Sequence, residues 1–125
     1  MTLRLKRIYE SPAADDGARF LVDRLWPRGV SKERAALTAW LKVLAPSDDL
    51  RREFHQASES DSAWQAFQAA YFAELGASGP GTQAALRELD SAVSAGPVTL
   101  LFGAHNQQRN NAVALAEWLA RRKPV

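Results

Sequence analysis

Asp23-Arg24-Leu25-Trp26-Pro27-Arg28-Gly29 places one carboxylate, two guanidiniums and an indole within seven consecutive residues. The run follows apolar Phe20-Leu21-Val22, so Asp23 is expected where a buried element gives out, in a partly desolvated position. There a carboxylate's proton affinity responds strongly to its neighbours, which suits a general base. Pro27-Arg28-Gly29 can form a tight turn that displays Arg28 ahead of a helix capped by Ser31. With Arg24 and Lys32 nearby, this resembles an anion cradle, arginine supplying a planar fork and lysine a point charge. Trp26 offers an aromatic face. Adjacent strand residues point to opposite faces, so Asp23 should not pair with Arg24 and is expected to orient Arg28 or act as base. The competing reading is structural: an Asp–Arg ion pair ties the loop down and Trp26 is a packing anchor.

A second polar stretch, Gly103 to Asn111, follows another apolar run, Val98-Thr99-Leu100-Leu101-Phe102. In open α/β sheets, ligands bind beyond the carboxyl ends of the strands. If the two strands are parallel neighbours, both stretches face one crevice. His105 is then placed for proton transfer, and Asn106 and Asn111 for the opposite wall. The plainer alternatives are an exposed loop histidine and helix-capping amides. The candidate set is therefore Asp23 and His105 as catalytic groups, with Arg24, Trp26, Arg28, Lys32, Asn106 and Asn111 as ligand-binding groups. His55 reads as a surface residue. Two histidines fifty residues apart, without a carboxylate beside either, lack metal-ligand spacing. No phosphate loop, dinucleotide fingerprint or serine elbow is present, and no cofactor is implied.

The elements that must position these groups are legible from periodicity. Leu3 to Ile8 alternates as a strand, Phe20-Leu21-Val22 reads as a strand buried on both faces, and Val98–Phe102 is the strongest strand in the chain. Between them lie helical patterns. One starts at Lys32 behind Ser31 and continues through Trp40, Leu41 and Leu44; a second runs from Asp48 to His55 behind Ser47. Ser62 with Gln65 looks like a capping box for a helix bearing Trp64, Phe67, Tyr71, Phe72 and Leu75 on one stripe, stopped at Gly76. Thr82 to Ala95 and Gln107 to Arg122 complete the set, the latter with Val113, Ala116 and Leu119 on one face. The order β-β-α-α-α-α-β-α describes one small α/β domain over residues 1–125. Its short, mostly parallel sheet of at least three strands would pack against about five helices.

Composition bounds the function classes. The chain has 125 residues, 46% hydrophobic and 24% charged, ordinary for a globular domain. It has no cysteine, which excludes disulfides, thiolate catalysis and cysteine-bound metal. No apolar run approaches the roughly 20 residues of a membrane span, and MTLRLKRIYE lacks a signal-peptide apolar segment. A cytoplasmic protein without membrane attachment is expected. Twelve of the sixteen basic residues are arginine, and residues 1–54 carry 11 basic against 8 acidic groups. That local excess hints at an anion, whereas a general nucleic-acid binder usually carries more positive charge. Arg121, Arg122 and Lys123 read as a solvated helix end.

The run Leu21-Val22-Asp23-Arg24-Leu25-Trp26-Pro27-Arg28-Gly29 followed by Lys32 resembles the YeaO-like branch of domain-of-unknown-function family 488. The resemblance continues through Trp40-Leu41-Lys42, Ala45-Pro46-Ser47, Leu50-Arg51, Trp64 with Phe67 and Tyr71, and Pro97–Phe102, nearly the whole chain. It implies a small cytoplasmic α/β protein and brings no settled activity. Members usually carry Ala-Lys-Asp after the last strand and Asn-His-Ala at the following helix, where this chain has Ala104-His105-Asn106 and Asn110-Asn111-Ala112. An acid is replaced by an amide and a histidine by an asparagine. If the family's reaction uses those groups, this chain has lost acid–base capacity unless His105 substitutes.

The leading expectation is a domain binding a small anionic ligand, a nucleotide or phosphorylated metabolite. The rivals are a nucleic-acid binding or repair accessory, with Trp26 stacking on a base, and a scaffold without a ligand. Neither the reaction nor the oligomeric state follows from the residues.

Overall fold

The computed structural model describes residues 3–57, 59–77 and 79–122; Lys123 of the basic tail lies outside them. Four strands form one sheet: β1 (Leu3–Arg7), β2 (Ala18–Leu21), β3 (Ala39–Trp40) and β4 (Val98–Phe102). Their order is β1-β4-β2-β3, and every pairing is parallel. β4 is therefore central, and all five of its residues are buried. Leu3 faces Val98 across one pairing, and Leu21 faces Leu101 across the other. This is the small, mostly parallel α/β architecture that the alternation of apolar runs and helical patterns implies. At the β1 edge the alternation buries less than expected, leaving Leu5 exposed.

Among the described residues five α-helices complete the fold: α1 (Lys32–Ala35), α2 (Asp48–Gln56), α3 (Asp61–Gly76), α4 (Pro80–Ala95) and α5 (Asn111–Arg121). On one face of the sheet Phe20, Leu100 and Phe102 pack with Phe67, Tyr71, Leu86, Leu89 and Leu115 in the main core. The other face carries a smaller cluster, in which Leu21 and Leu101 meet Ile8, Val30 and Ala35, with Trp26 and Trp40 packed at its edge. Asp16, fully buried, pairs there with Arg19 and, at 3.0 Å, with Lys6, and Thr99 donates to its carbonyl.

Several boundaries differ from the sequence reading, each for a local reason. The helix behind Ser31 does not continue through Trp40. Ala36 turns left-handed at φ 49°, and Thr38 then exchanges hydrogen bonds with Arg19, Thr38 N–H to its carbonyl and Arg19 N–H to Oγ1. These bonds lay Ala39-Trp40 along the open edge of β2 as a strand. Ser60 rather than Ser62 caps α3, accepting from Ala63 N–H. α4 begins two residues early, with Pro80 in its first turn where a missing N–H costs nothing. α5 begins at Asn111, because Asn110 is its cap, accepting from Val113 N–H at 2.9 Å. It buries Ala112, Ala114 and Leu115 most deeply, with Ala116 and Leu119 partly covered. Its basic end is solvated yet makes contacts: exposed Arg121 lies over Phe72, and Arg122 pairs with Asp90. Among the described residues no helix is long and apolar enough to cross a membrane.

Candidate functional site

Parallel pairing of β2 with β4 brings their carboxyl ends side by side, and the loops that leave them are stitched together. The Asp23 carboxylate reaches across, one oxygen accepting from Gly103 N–H at 2.8 Å and the other from the Asn111 amide at 3.1 Å. The same amide donates to Val22 O at 2.9 Å, so the first residue of α5 grips the end of β2. A side chain at Gly103 would begin 3.1 Å from the Asp23 oxygen, tighter than carbon normally sits, so a glycine there keeps the approach open. From the far edge Arg7 holds the same loop, donating to the carbonyls of Ala104 and Gly103. Within the loop, Asn106 accepts from Gln108 N–H and Arg109 N–H, and the Asn110 amide closes onto the Asn106 carbonyl.

Above these strand ends lies a pocket of about 510 Å³, enclosed by the two loops, the C-terminal part of α2 and the start of α3. Three arginines line it. Arg24 is anchored by the Pro46 carbonyl at 2.8 Å and lies 3.9 Å from Asp48. Arg51 lies 3.5 Å from Asp48, and its Nε is buried without a hydrogen-bond acceptor among the described residues. Arg109 pairs with Asp61. His55 and His105 lie on the wall, both exposed, with Asp23 and Glu59 as its carboxylates. Phe54, Trp64 and Phe67 form an aromatic side. Burial pushes the Asp23 carboxyl above the ordinary range; Gly103 N–H, the Asn111 amide and nearby His55 only partly offset it. The site thus joins a half-buried carboxylate of raised proton affinity to a cation-rich wall. Among the described residues no cluster of three or more His, Cys, Asp or Glu side chains is arranged to hold a metal ion.

Of the eight candidate residues, Asp23, Arg24, His105, Asn106 and Asn111 line this pocket; Trp26, Arg28 and Lys32 do not. The turn Pro27-Arg28-Gly29 forms, with Gly29 at φ 78°, but it swings the chain under the opposite face of the sheet. Trp26 packs edge-on against Trp40, centroids 5.4 Å apart, and donates to Val30 O, as a packing anchor does. Arg28 stays exposed on its turn and is not the partner of Asp23, whose oxygens face Gly103 and Asn111. Lys32 opens a helix of only four residues, too short for the anion-binding terminus anticipated. Arg51, Phe54 and Trp64 lie outside the two stretches expected to face the crevice; they reach it because the crossover from β3 to β4 carries α2 and α3 over the strand ends, which no local spacing reveals. Arg109 comes from the stretch after β4 itself.

A family model described as "Inactive DUF488-N3 subclade" matches residues 2–123. The chain is 40% identical over 119 residues to the uncharacterized protein YeaO of Escherichia coli K12, covering 95% of this chain and 97% of that protein. It is 36% identical over 117 residues to the uncharacterized protein Rv3073c of Mycobacterium tuberculosis, covering 94% and 92%. No solved structure matches it significantly. With match and relatives both spanning nearly its whole length, the chain belongs to domain-of-unknown-function family 488, in the subclade described as inactive DUF488-N3.

Proposed function

We propose that the chain is a cytoplasmic binding domain that holds a small anionic molecule, a nucleotide or phosphorylated metabolite, in the pocket at the ends of β2 and β4, without converting it. The observation that carries this reading is the half-buried Arg51 guanidinium, which stands in the pocket wall 3.5 Å from Asp48. Charge-assisted donors of this kind bind an anion strongly. Arg24 and Arg109 supply the neighbouring charge, and a pocket of about 510 Å³ lies within the range that small ligands occupy. The absence of conversion is supported by the asparagines at 106 and 111, where related chains are read as carrying an acid and a histidine.

Thermal unfolding with a panel of phosphorylated metabolites, nucleotides and pyrophosphate tests it. A ligand present at 100 times its Kd should stabilise the protein by about 2.7 kcal/mol. Arg51→Lys keeps the charge but loses the planar fork and should weaken that ligand, which NMR should show unchanged after prolonged incubation. No stabilisation by any anion, or steeply salt-dependent binding of an oligonucleotide instead, would overturn the reading.

A further inference from the structure

The pocket has an aromatic side that an anion alone does not use. Phe54, Trp64 and Phe67 all line it. Phe54 stacks on Phe67 at 4.2 Å between centroids, and Trp64 lies 5.8 Å from Phe67 and 5.9 Å from Phe54. Phe67 is buried in the core while Phe54 and Trp64 are only half-buried, so the cluster is rigidly backed yet open towards the pocket. Such a wall offers flat, apolar faces to a flat, apolar surface. A phosphorylated sugar would set hydroxyls against it and leave its contact unused.

Another wall feature has the opposite polarity to the arginines. Each Asp23 oxygen accepts one hydrogen bond. A carboxylate has about four acceptor positions, so two remain for a ligand. An anionic group placed there would be repelled, which directs the ligand's charge towards Arg24, Arg51 and Arg109 and its donor towards Asp23. The pocket therefore has three chemistries in one volume: flat apolar contact, an acceptor, and a cationic rim.

We propose that the ligand is a planar aromatic ring bearing an N–H donor and carrying a phosphate, as in a mononucleotide. The ring lies along the Phe54–Trp64–Phe67 wall with its N–H on Asp23, and the phosphate meets the arginines. This rests on the anion-binding reading above and adds to it the class of the ligand's other half.

Calorimetric titration of the full chain with AMP, CMP, GMP, UMP, purine riboside 5′-monophosphate, ribose 5-phosphate, adenosine and inorganic phosphate tests it. At least one mononucleotide should bind about tenfold or more tightly than ribose 5-phosphate or phosphate. Trp64→Leu should weaken that mononucleotide at least about fivefold, the effect of losing a stacking partner, and leave ribose 5-phosphate unchanged. Purine riboside monophosphate, which lacks the exocyclic amine of AMP, should bind more weakly than AMP to the parent protein and equally with AMP to Asp23→Asn. The comparison within the parent protein holds even if either variant folds poorly. Ribose 5-phosphate binding as tightly as the best mononucleotide would overturn the ring assignment and leave the anion reading standing. Adenosine binding as tightly as AMP would overturn the anion reading and keep the ring. Equal affinity for AMP and purine riboside monophosphate, with another mononucleotide no better, would remove Asp23 as the donor's partner. Binding by none of the probes would overturn the ring assignment along with the anion reading.

Discussion

Replacing Asp23 separates a carboxylate held by neutral donors from one held by an arginine, and the two differ in sign with pH. Asp23 accepts from Gly103 N–H and Asn111, and burial raises its proton affinity above that of the unfolded chain. Between the ordinary aspartate value of 3.8 and the raised folded value, the native state holds more protons than the unfolded one. Stability therefore falls as pH rises through that window, and is flat on either side. Asp23→Asn lacks this titration. The stability of the parent minus that of Asp23→Asn should accordingly decline as pH rises from 3.8 through the raised folded value. An aspartate paired with an arginine would have a depressed value, and the same difference would rise with pH.

The size of the hydrogen-bond contribution follows from the alanine variant. Asp23→Ala leaves the Gly103 N–H without its acceptor, whereas the Asn111 amide keeps Val22 O. Stranding that donor should cost about 1–3 kcal/mol at neutral pH, reduced by relief of the desolvated charge. Asn keeps one acceptor and should cost less. Urea titrations of the three proteins at each pH, with unchanged m-values, give both quantities. A parent-minus-Asn difference that rises with pH, or an alanine variant as stable as the parent at neutral pH, would refute the reasoning.

Four further outcomes follow from the same structure. Leu101, fully buried between β1 and β2, should cost about 2–5 kcal/mol as Leu101→Ala in denaturant titration. Gly17→Ala should cost about 2–4 kcal/mol by thermal unfolding, because φ is +67° and a Cβ would lie 2.1 Å from the Pro97 carbonyl oxygen. Burial is the largest single influence on Asp16 and pushes its carboxyl up, but Ala13 N–H, Lys6 and Arg19 together hold it below the ordinary range. Its stabilisation is thus present above pH 3.8 and lost on acidification, and Asp16→Ala should cost about 3–5 kcal/mol at neutral pH with the deficit shrinking in acid. Asn111→His should cost about 1–2 kcal/mol in urea titration, since a neutral imidazole carries one N–H where the amide now serves two acceptors.

What was legible in the sequence were features written in consecutive residues. The apolar run Val98–Phe102 read as the strongest strand in the chain, and Ser47 and Ser31 could be recognised as caps from the residues behind them. That the stretches after β2 and β4 share one crevice was legible only as a consequence of parallel pairing, whereas Asp23 meeting Asn111 rather than Arg28 was not legible. β3 was not legible, since two residues form a strand only by pairing with β2, and Ala39-Trp40 fits a helical spacing equally well. Trp26, Arg28 and Lys32 were misplaced for a related reason. The density of charge around them is local, but the turn at Gly29 decides which face of the sheet they reach, and a sequence motif does not encode that direction. Arg51 lies far from Asp23 in sequence and shares its pocket only through the path of the crossover helix α2.

The exchange of histidine for asparagine at 111, read from the resemblance, has a consequence in the geometry. A primary amide has two N–H donors on one nitrogen, and both Asn111 bonds leave that nitrogen, one to Val22 O and one to the Asp23 carboxylate. An imidazole in the same place would spend its one neutral N–H on a single acceptor and keep a second nitrogen free to take up or release a proton. Asn111 therefore converts a position suited to proton transfer into a clamp. It fixes Asp23 at the mouth of the pocket as a hydrogen-bond acceptor rather than as one end of a proton relay. Arg24, Arg51 and Arg109 are untouched by that exchange, and so are Phe54 and Trp64. On the proposed reading, binding chemistry and proton-transfer chemistry rest on different side chains, so one can be lost while the other is kept, which agrees with a subclade described as inactive.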